Sequence, residues 1–384
     1  MASEGQTGPT GATYHVLLIG IDAYPGRPLE GCVNDIDAVQ RVLLDDRLAI
    51  PPACIRRLAS PLPGTRHETA IAEQPATFAN IHAALTELGS ERVRPGDRVF
   101  LYYSGHGKRV VVKGPDGPTF QREALVPVDF EAAPGFPPGS DAFLFDFELN
   151  GLLAAIAART SSVAVMLDCC HAAGTPRDGG AVRSFDRGAR DREPIADPAR
   201  KLAATRGAGS GDRTGSVHTC QVVSACLANE FSRENERDGV RNGVFTSAFV
   251  AAVRGATGDL RTLTWDRIWH AMLNEVMLRH PGQSPRMDGS PRRAVFGGPP
   301  GDGDAGLSVS RDGDGYRIAA GTMADITLGT ELAIYGPDPA RFPPLGSTAD
   351  VAVRLGVVRV TEADPATARA AAIGPAFELP PGAR

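Results

Sequence analysis

VAVMLDCCHAAG, residues 163–174, is the most informative stretch of the chain, because an apolar β-branched run ends there abruptly in acidic and nucleophilic side chains. The valines that alternate up to Leu167 predict a strand covered on both faces. The small residues that lead to Gly174 allow the chain to turn sharply out of the sheet. The pattern therefore places Cys170 at the carboxyl end of a buried strand.

A second stretch, DRVFLYYSGHG at 97–107, has the same construction. It predicts another apolar strand, which ends in Ser104, His106 and two glycines. Side chains at the ends of two strands can meet in space, and a nucleophilic thiol needs a base nearby to become a thiolate. The two stretches together predict one site that contains a thiol and an imidazole.

Strands and helices alternate around these stretches. Apolar runs at 14–21 and 53–60 predict strands, and each is followed by residues with helical periodicity. A further apolar run at 218–227 predicts another strand, whereas 108–122 predicts an exposed β-hairpin. The alternation predicts an α/β fold with a mostly parallel six-stranded sheet and helices on both faces.

Composition divides the chain into parts of different character. A Gly- and Thr-rich start predicts disorder, an Arg- and Gly-rich stretch predicts a mobile loop, and short alternating runs near the end predict a β-rich domain. The predicted parts are a disordered N-terminus (1–12), an α/β domain (13–298, comprising 13–174, the mobile loop 175–215 and 216–298) and a small β-rich C-terminal domain (299–384).

Bulk properties exclude several classes of function. The 384 residues are 42% hydrophobic, which is enough for a normal core, and the net charge of −5 offers no broad basic face for nucleic acid. No apolar run is long enough to cross a bilayer, and no secretory signal is evident, so we expect a cytoplasmic protein. Six cysteines without CxxC spacing predict neither a disulfide scaffold nor a structural metal.

Three motifs stand out: YYSGHG, which contains His106, ALVPVDF at 124–130, and LDCCHAAG around Cys170. Together they resemble the caspase family of cysteine peptidases, in its bacterial metacaspase-like (orthocaspase-like) branch. Downstream, VVSACLANEFSRE, GVFTSAF and QSPRMDG with AVFGG are similar to the small-subunit half of that fold. The resemblance covers roughly 14–298 and implies a caspase-like sheet.

The resemblance implies a Cys-His dyad, with Cys170 as the nucleophile and His106 as the proton carrier. Acyl transfer also needs donors for the oxyanion, and the backbone amides of Gly107 and Cys170 can supply them. Cys169 competes for the nucleophilic role, but the family pattern places the nucleophile directly before His171. Cys169 is then a packing residue.

The resemblance also implies a substrate pocket, and the charge of this pocket predicts which residue precedes the cleaved bond. Caspases that cleave after aspartate have glutamine where this chain has Asp168, whereas the metacaspase-like branch uses an acidic pocket. The matching residues are Asp35, Asp168 and Ser104, with Cys32 on the pocket wall. Carboxylates that face a guanidinium form charge-assisted hydrogen bonds, so we expect cleavage after arginine, with lysine weaker. The alternative for Asp35 is an acid at a helix N-terminus.

Some related peptidases require calcium. Asp146, Glu148 and Asp178 lie in the corresponding region, but the expected pair of aspartates is reduced to Asp146 followed by Phe147. This departure favours a calcium-independent enzyme with no cofactor, while calcium dependence stays open as the alternative.

The loop 175–215 is rich in arginine, the residue that the enzyme is expected to prefer. We hypothesise that cleavage of this loop, by the enzyme itself or by an upstream protease, activates it for protein substrates with exposed arginines in a regulatory, stress or defence pathway. The alternative is a solvated basic linker. The candidate processing sites are Arg177, Arg183, Arg187, Arg190, Arg192, Arg200, Arg206 and Arg213.

Two other classes of function fit parts of the sequence. A catalytically inactive caspase-like scaffold or binding protein would follow if the two strand ends were wrongly spaced. A vicinal-dithiol redox protein would require both Cys169 and Cys170 to be exposed. Labelling by a thiol-directed peptide inhibitor separates the three, because only the peptidase should be labelled at Cys170 alone.

Overall fold

The computed structural model divides the chain into two compact units, residues 1–263 with 271–289 and 293–299, and residues 264–270 with 290–292 and 300–384. The structure describes residues 12–65, 69–113, 119–134, 141–170, 182–185, 195–196, 220–227, 229–256, 259–298, 307, 309–318, 326, 328–336, 341–363, 368–380 and 383. The predicted disordered segment therefore falls outside this part, apart from its last residue.

The first unit contains thirteen of the strands in the described ranges, in three sheets. They are β1 (Tyr14–Ile21), β2 (Ile55–Ser60), β3 (Glu73–Gln74), β4 (Arg98–Ser104), β5 (Gly107–Lys113), β6 (Thr119–Leu125), β7 (Leu144–Phe145), β8 (Val163–Asp168), β9 (Ile195–Ala196), β10 (Gln221–Ser224), β11 (Glu234–Arg237), β12 (Val240–Gly243) and β13 (Arg286–Asp288). The described helices are α1 (Cys32–Leu43), α2 (Phe78–Leu88), α3 (Asp146–Ala157), α4 (Val244–Gly255), α5 (Trp265–Arg279) and α6 (Thr348–Val353), with 3₁₀ turns at Pro52–Cys54 and Leu260–Thr262.

The main sheet has the strand order β13-β10-β8-β4-β1-β2-β3. All its neighbouring pairs are parallel except β10 with β13. The predicted mostly parallel α/β sheet is confirmed. The sheet has seven strands rather than the predicted six, and both of its edge strands, β3 with two residues and β13 with three, were missed from the sequence. Strands so short have no apolar run by which a sequence pattern could reveal them.

Helices cover both faces of this sheet. On one face, Leu17 and Ile19 of β1 share a buried core with Ile81 of α2 and Leu153 of α3. Gly20 faces the other side, where a Cβ would lie 3.0 Å from the side chain of Ile36 on α1. The alternation along β1 therefore buries both of its faces, as its unbroken apolar sequence requires.

A smaller sheet of order β7-β6-β5-β9 follows the end of β4. Strands β5 and β6 form an antiparallel pair, and residues 114–118 between them lie outside the described residues. This pair is the hairpin that the sequence predicts, but its beginning is not exposed. Lys108 and Val110 are 2% and 7% exposed, because this end of the hairpin lies over aromatic residues such as Phe143.

The second unit contains a five-stranded antiparallel sheet of order β14-β15-β18-β17-β16. Its strands are β14 (Val309–Asp312), β15 (Gly315–Ile318), β16 (Glu331–Tyr335), β17 (Arg354–Ala363) and β18 (Ala368–Ala372). Tyr316, Val358 and Val360 are buried in a separate hydrophobic core, so the predicted β-rich region is confirmed. Within the ranges that the structure describes, no helix is long and apolar enough to cross a bilayer.

Candidate active site

The ends of β4 and β8 bring the two predicted catalytic residues to one edge of the sheet. Ser104 and Asp168, the last residues of these strands, are direct neighbours in the parallel register. His106 and Cys170 each follow two residues later and are 2% and 0% exposed. The amide of Gly105 donates a hydrogen bond to the carbonyl of Asp168 at 3.3 Å and holds the two strand ends together.

The tautomer of His106 follows from its hydrogen bonds. Its Nε2 lies 2.9 Å from the carbonyl oxygen of Arg27, which can only accept, so Nε2 carries the proton. The backbone amide of His106 donates to the hydroxyl of Tyr24 at 2.9 Å. Burial lowers the pKa of His106 to about 4, so the ring is neutral. Its Nδ1 is buried and makes no hydrogen bond of good geometry with the described residues, although the backbone of Arg183 lies near enough to the ring to act against this lowering of the pKa.

Two backbone amides converge on one carbonyl oxygen beside the cysteine. The amide of Gly107 donates to the carbonyl of Arg183 at 2.9 Å, and the amide of Cys170 donates to the same oxygen at 3.4 Å. A pair of amides directed at one oxygen is the arrangement that stabilises a tetrahedral oxyanion during acyl transfer. The carbonyl of Arg183 therefore accepts from the same two amides that were named from the sequence as candidate oxyanion donors.

The backbone on both sides of this carbonyl is held in an extended conformation. The amide of Arg183 donates to the carbonyl of Ser232 at 3.0 Å, and Val182 forms an antiparallel bridge with Arg233. Ser184 forms a parallel bridge with Gly107. Residues 182–185 thus lie across the strand ends like a bound peptide.

The side chain of Arg183 fills an acidic pocket. Its guanidinium nitrogens lie 2.5 Å from Asp35, 2.8 Å from Asp168 and 3.3 Å from Glu234, and all four side chains are fully buried. Ser104 accepts a further hydrogen bond from the guanidinium at 2.9 Å. Burial alone would lower the pKa of Arg183, but the carboxylates outweigh it and raise the pKa above its ordinary value.

Other residues fix the two aspartates in place. Asp168 accepts hydrogen bonds from the hydroxyls of Ser232 at 2.7 Å and Thr246 at 2.5 Å. Asp35 accepts from the amide of Gly243 and the side chain of Asn242, both at 2.9 Å. Burial raises the pKa of Asp35 to about 7, although Arg183 acts in the opposite direction.

Two glycines form walls of the pocket. A Cβ on Gly243 would lie 2.3 Å from an Asp168 carboxylate oxygen and 2.6 Å from a guanidinium nitrogen of Arg183. A Cβ on Gly31 would lie 2.8 Å from a carboxylate oxygen of Glu234. A side chain at either position would therefore take up space that the charged groups occupy.

The structure brings most of the predicted site residues together. Cys32 lies on the pocket wall and directs its thiol to Glu234 at 3.8 Å. Cys169 is 3% exposed within the hydrophobic core, where burial raises its pKa. Asp146 lies elsewhere, at the start of α3 and 3.7 Å from Arg122. Outside the described residues are His171, Asp178, Arg177, Arg187, Arg190, Arg192, Arg200, Arg206 and Arg213.

The described part of the loop 175–215 differs from the prediction of a mobile stretch without apolar anchors. Arg183 is 0% and Phe185 4% exposed, because the pocket and an aromatic cluster bury them. The sequence contains the signal for this in Phe185, a lone aromatic residue among polar neighbours.

Several functional residues were missed from the sequence. Glu234 supplies a third carboxylate, and it could have been noticed as the acidic end of the VVSACLANEFSRE motif. Arg27 acts through its carbonyl, which leaves no trace in the residue type. Cys226 forms a hydrogen bond with Cys170, and this contact together with burial raises the pKa of Cys226.

One group of ligand-type side chains, Asp22, Cys32 and Glu234, lies within 4.8 Å in the described part of the chain. Its oxygens already have partners: Asp22 accepts from the amides of Cys32 at 2.8 Å and Val33 at 3.2 Å, and Glu234 faces Arg183. These contacts account for the acidic group without a metal ion. The calcium-independence predicted from Asp146 and Phe147 stays a prediction.

Comparison with known proteins places this geometry in a family. The Caspase domain family matches residues 13–285. The chain belongs to the caspase-domain family. This confirms the family resemblance of the motifs around His106 and Cys170, and the family is one of cysteine peptidases.

Metacaspases are among the relatives of this caspase domain. Metacaspase-2 of Trypanosoma brucei brucei is 27% identical over 249 residues, which cover 58% of this chain and 66% of that protein. Metacaspase-5 of Trypanosoma cruzi is 31% identical over 166 residues, or 43% of this chain and 34% of that protein. The chain therefore spans less than two thirds of these relatives. A solved protein of Geobacter sulfurreducens has a TM-score of 0.48 at 19% identity, over 75% of this chain and 98% of that one.

Proposed function

We propose that this protein is a cysteine endopeptidase that cleaves proteins after arginine, and after lysine more weakly, through Cys170 and His106. One observation carries the proposal. The Arg183 side chain fills the acidic pocket while its carbonyl accepts from the amides of Gly107 and Cys170. The segment is therefore held as a substrate would be, with the bond between Arg183 and Ser184 in the scissile position.

The proposed reaction uses groups on both strand ends. The thiol of Cys170 loses its proton to Nδ1 of His106, and the sulfur attacks the carbonyl carbon of the arginine. The two amides stabilise the resulting oxyanion, and the proton passes from the imidazole to the leaving amine. Water then hydrolyses the thioester and regenerates the thiol. The hydrogen bond from Nε2 of His106 to the carbonyl of Arg27 leaves Nδ1 available to accept the proton.

Charge in the pocket supports the preference for arginine. Three buried carboxylates face one guanidinium, whose fork geometry allows contacts with more than one of them. A lysine ammonium brings one point charge and fewer donors, so we expect weaker turnover. An aspartate would add a fourth buried negative charge and should be rejected.

Turnover of matched peptides tests this function. We expect cleavage of a peptide with arginine before the scissile bond, slower cleavage of the lysine peptide, and none of the aspartate peptide. The Cys170→Ala protein serves as the control for contaminating proteases. Equal turnover of the arginine and aspartate peptides would refute the specificity, and no turnover of any peptide would favour the inactive scaffold.

A further inference from the structure

Phe185 lies two residues after Arg183 and, like the arginine, forms a backbone hydrogen bond with Gly107. Its amide donates to the carbonyl of Gly107 at 2.9 Å, so Gly107 bonds to the segment through both its amide and its carbonyl. The Phe185 side chain is only 4% exposed. The segment is therefore fixed on both sides of the bond that follows Arg183.

Aromatic rings surround the Phe185 side chain. Its ring packs edge-on against Phe130, with 4.8 Å between centroids, and against the catalytic His106 at 5.5 Å. Phe130 in turn stacks on Phe143 at 5.8 Å. Edge-to-face contacts of this kind favour another aromatic ring over an aliphatic side chain of similar size.

A buried cation completes the cluster. The ammonium of Lys108 lies 5.2 Å from the Phe185 ring centroid and 5.5 Å from that of Phe143, within the range of a cation–π interaction. The same ammonium donates to the carbonyl of Phe185 at 3.4 Å. Lys108 is 2% exposed, so little water competes for these contacts.

We infer that Lys108, Phe130, Phe143 and His106 form a binding site for an aromatic side chain at the second position after the scissile bond. The inference rests on the proposed function, because it treats residues 182–185 as a bound substrate. The preferred protein substrates then contain an arginine, any residue that fits beside Gly107, and an aromatic residue. The carbonyl of Gly107 and the ammonium of Lys108 anchor the backbone of that third residue.

The site explains how the enzyme could select among many exposed arginines. The acidic pocket binds one side chain of the substrate, and the aromatic cluster binds a second side chain two residues further along the chain. Removing an aromatic side chain from a fitted pocket usually lowers kcat/KM by about tenfold to a hundredfold. We expect a preference of that size for phenylalanine, tyrosine or tryptophan over alanine.

Quenched-fluorescent peptides test the inference with the 384-residue protein. One series has arginine, serine and then phenylalanine, tyrosine, leucine or alanine around the bond, and a matched series has aspartate in place of arginine. We expect kcat/KM for the arginine–phenylalanine peptide to exceed that for the arginine–alanine peptide by about tenfold or more. Phe130→Ala should bring this ratio close to one while the protein still prefers arginine over aspartate.

Cleavage within the chain gives a second readout. Phe185→Ala should slow the appearance of a new terminus after Arg183 by about tenfold, and Phe185→Tyr should retain it. Circular dichroism and the thermal midpoint check that both variants are folded. Equal turnover of the phenylalanine and alanine peptides would overturn the aromatic site but leave cleavage after arginine intact. Failure to cleave any arginine peptide would overturn the proposed function, and this inference with it.

Discussion

At the scale of single residues, the guanidinium of Arg183 compensates a pocket that carries more negative than positive charge. It faces the carboxylates of Asp35, Asp168 and Glu234, and all of these groups are buried. Removing one partner from a buried ionic group typically costs about 3–5 kcal/mol, because an uncompensated charge stays behind. If the segment leaves, the arginine of a substrate can take the place of Arg183 and compensate the same carboxylates.

Substitutions should show that Cys170 and His106 are needed for catalysis and that Cys169 is not. Cys170→Ala and His106→Ala should each lower kcat/KM for an arginine peptide by about 10³-fold or more, since each breaks the nucleophile–base unit. Cys169→Ala is the matched control and should retain most of the activity, because Cys169 lies in the core. Inactivation by Cys169→Ala with an active Cys170→Ala would show that the other cysteine is the nucleophile.

Protonation of Asp35 should make recognition of arginine depend on pH. The pKa of Asp35 is raised to about 7, so the group is protonated below that pH and attracts a cation only above it. His106, with a pKa of about 4, stays neutral over the same range. The turnover ratio of an arginine peptide to its uncharged citrulline analogue should therefore rise between pH 5 and 8. A flat ratio would contradict this assignment.

At the scale of elements, the junction of β12 and α4 shapes the pocket as much as the strand ends do. Gly243 is the last residue of β12, and its amide donates a hydrogen bond to Asp35. Helix α4 begins at the next residue. Thr246 in the first turn of α4 holds Asp168. One short segment therefore fixes both aspartates.

Replacing the glycine at this junction should block the pocket. In Gly243→Ala the new Cβ would overlap the Asp168 carboxylate and the space of the substrate guanidinium, so KM for arginine peptides should rise at least about tenfold. Gly255→Ala, at the other end of α4, is the control, because a Cβ there meets no atom within 4 Å. Circular dichroism and the thermal midpoint check that both variants are folded at the assay temperature. Unchanged kinetics in Gly243→Ala would show that the wall can move.

Features that depend on local sequence could be predicted, whereas features that depend on contacts between distant parts of the chain were missed. Strand ends such as those before His106 and Cys170 are local patterns, in which an apolar run stops at small and polar residues. The family resemblance supplied Asp35 and Asp168. The position of Arg183 in the pocket depends on the pairing of Val182 with Arg233, and no periodicity within either segment encodes such a long-range contact.

At the scale of the whole molecule, the proposed function makes residues 182–185 the first substrate of the chain itself. We expect the wild-type protein to cut itself between Arg183 and Ser184, and Cys170→Ala to stay intact. Arg183→Gln should abolish this cut, whereas Arg187→Gln in the same loop should not. Mass spectrometry of the new termini, together with peptide turnover before and after the cut, measures both the site and the activation.

Two results would change this account. Full activity in an uncut wild-type chain would refute activation by processing. Cleavage of Cys170→Ala after Arg183 only when a second protease is added would assign the cut to a separate enzyme. Neither result would refute the proposed peptidase activity.

In the proposed self-cleavage, the nucleophile and the scissile bond lie in the same chain. The kinetic order of the first cut follows from this. An attached segment competes for its site at an effective concentration in the millimolar range, so free peptides bind poorly while it is in place. The cut between Arg183 and Ser184 is then a first-order event, with a half-time that does not change when the protein is diluted. Self-cleavage would then begin as soon as a molecule has folded, and it would need no encounter with a second molecule.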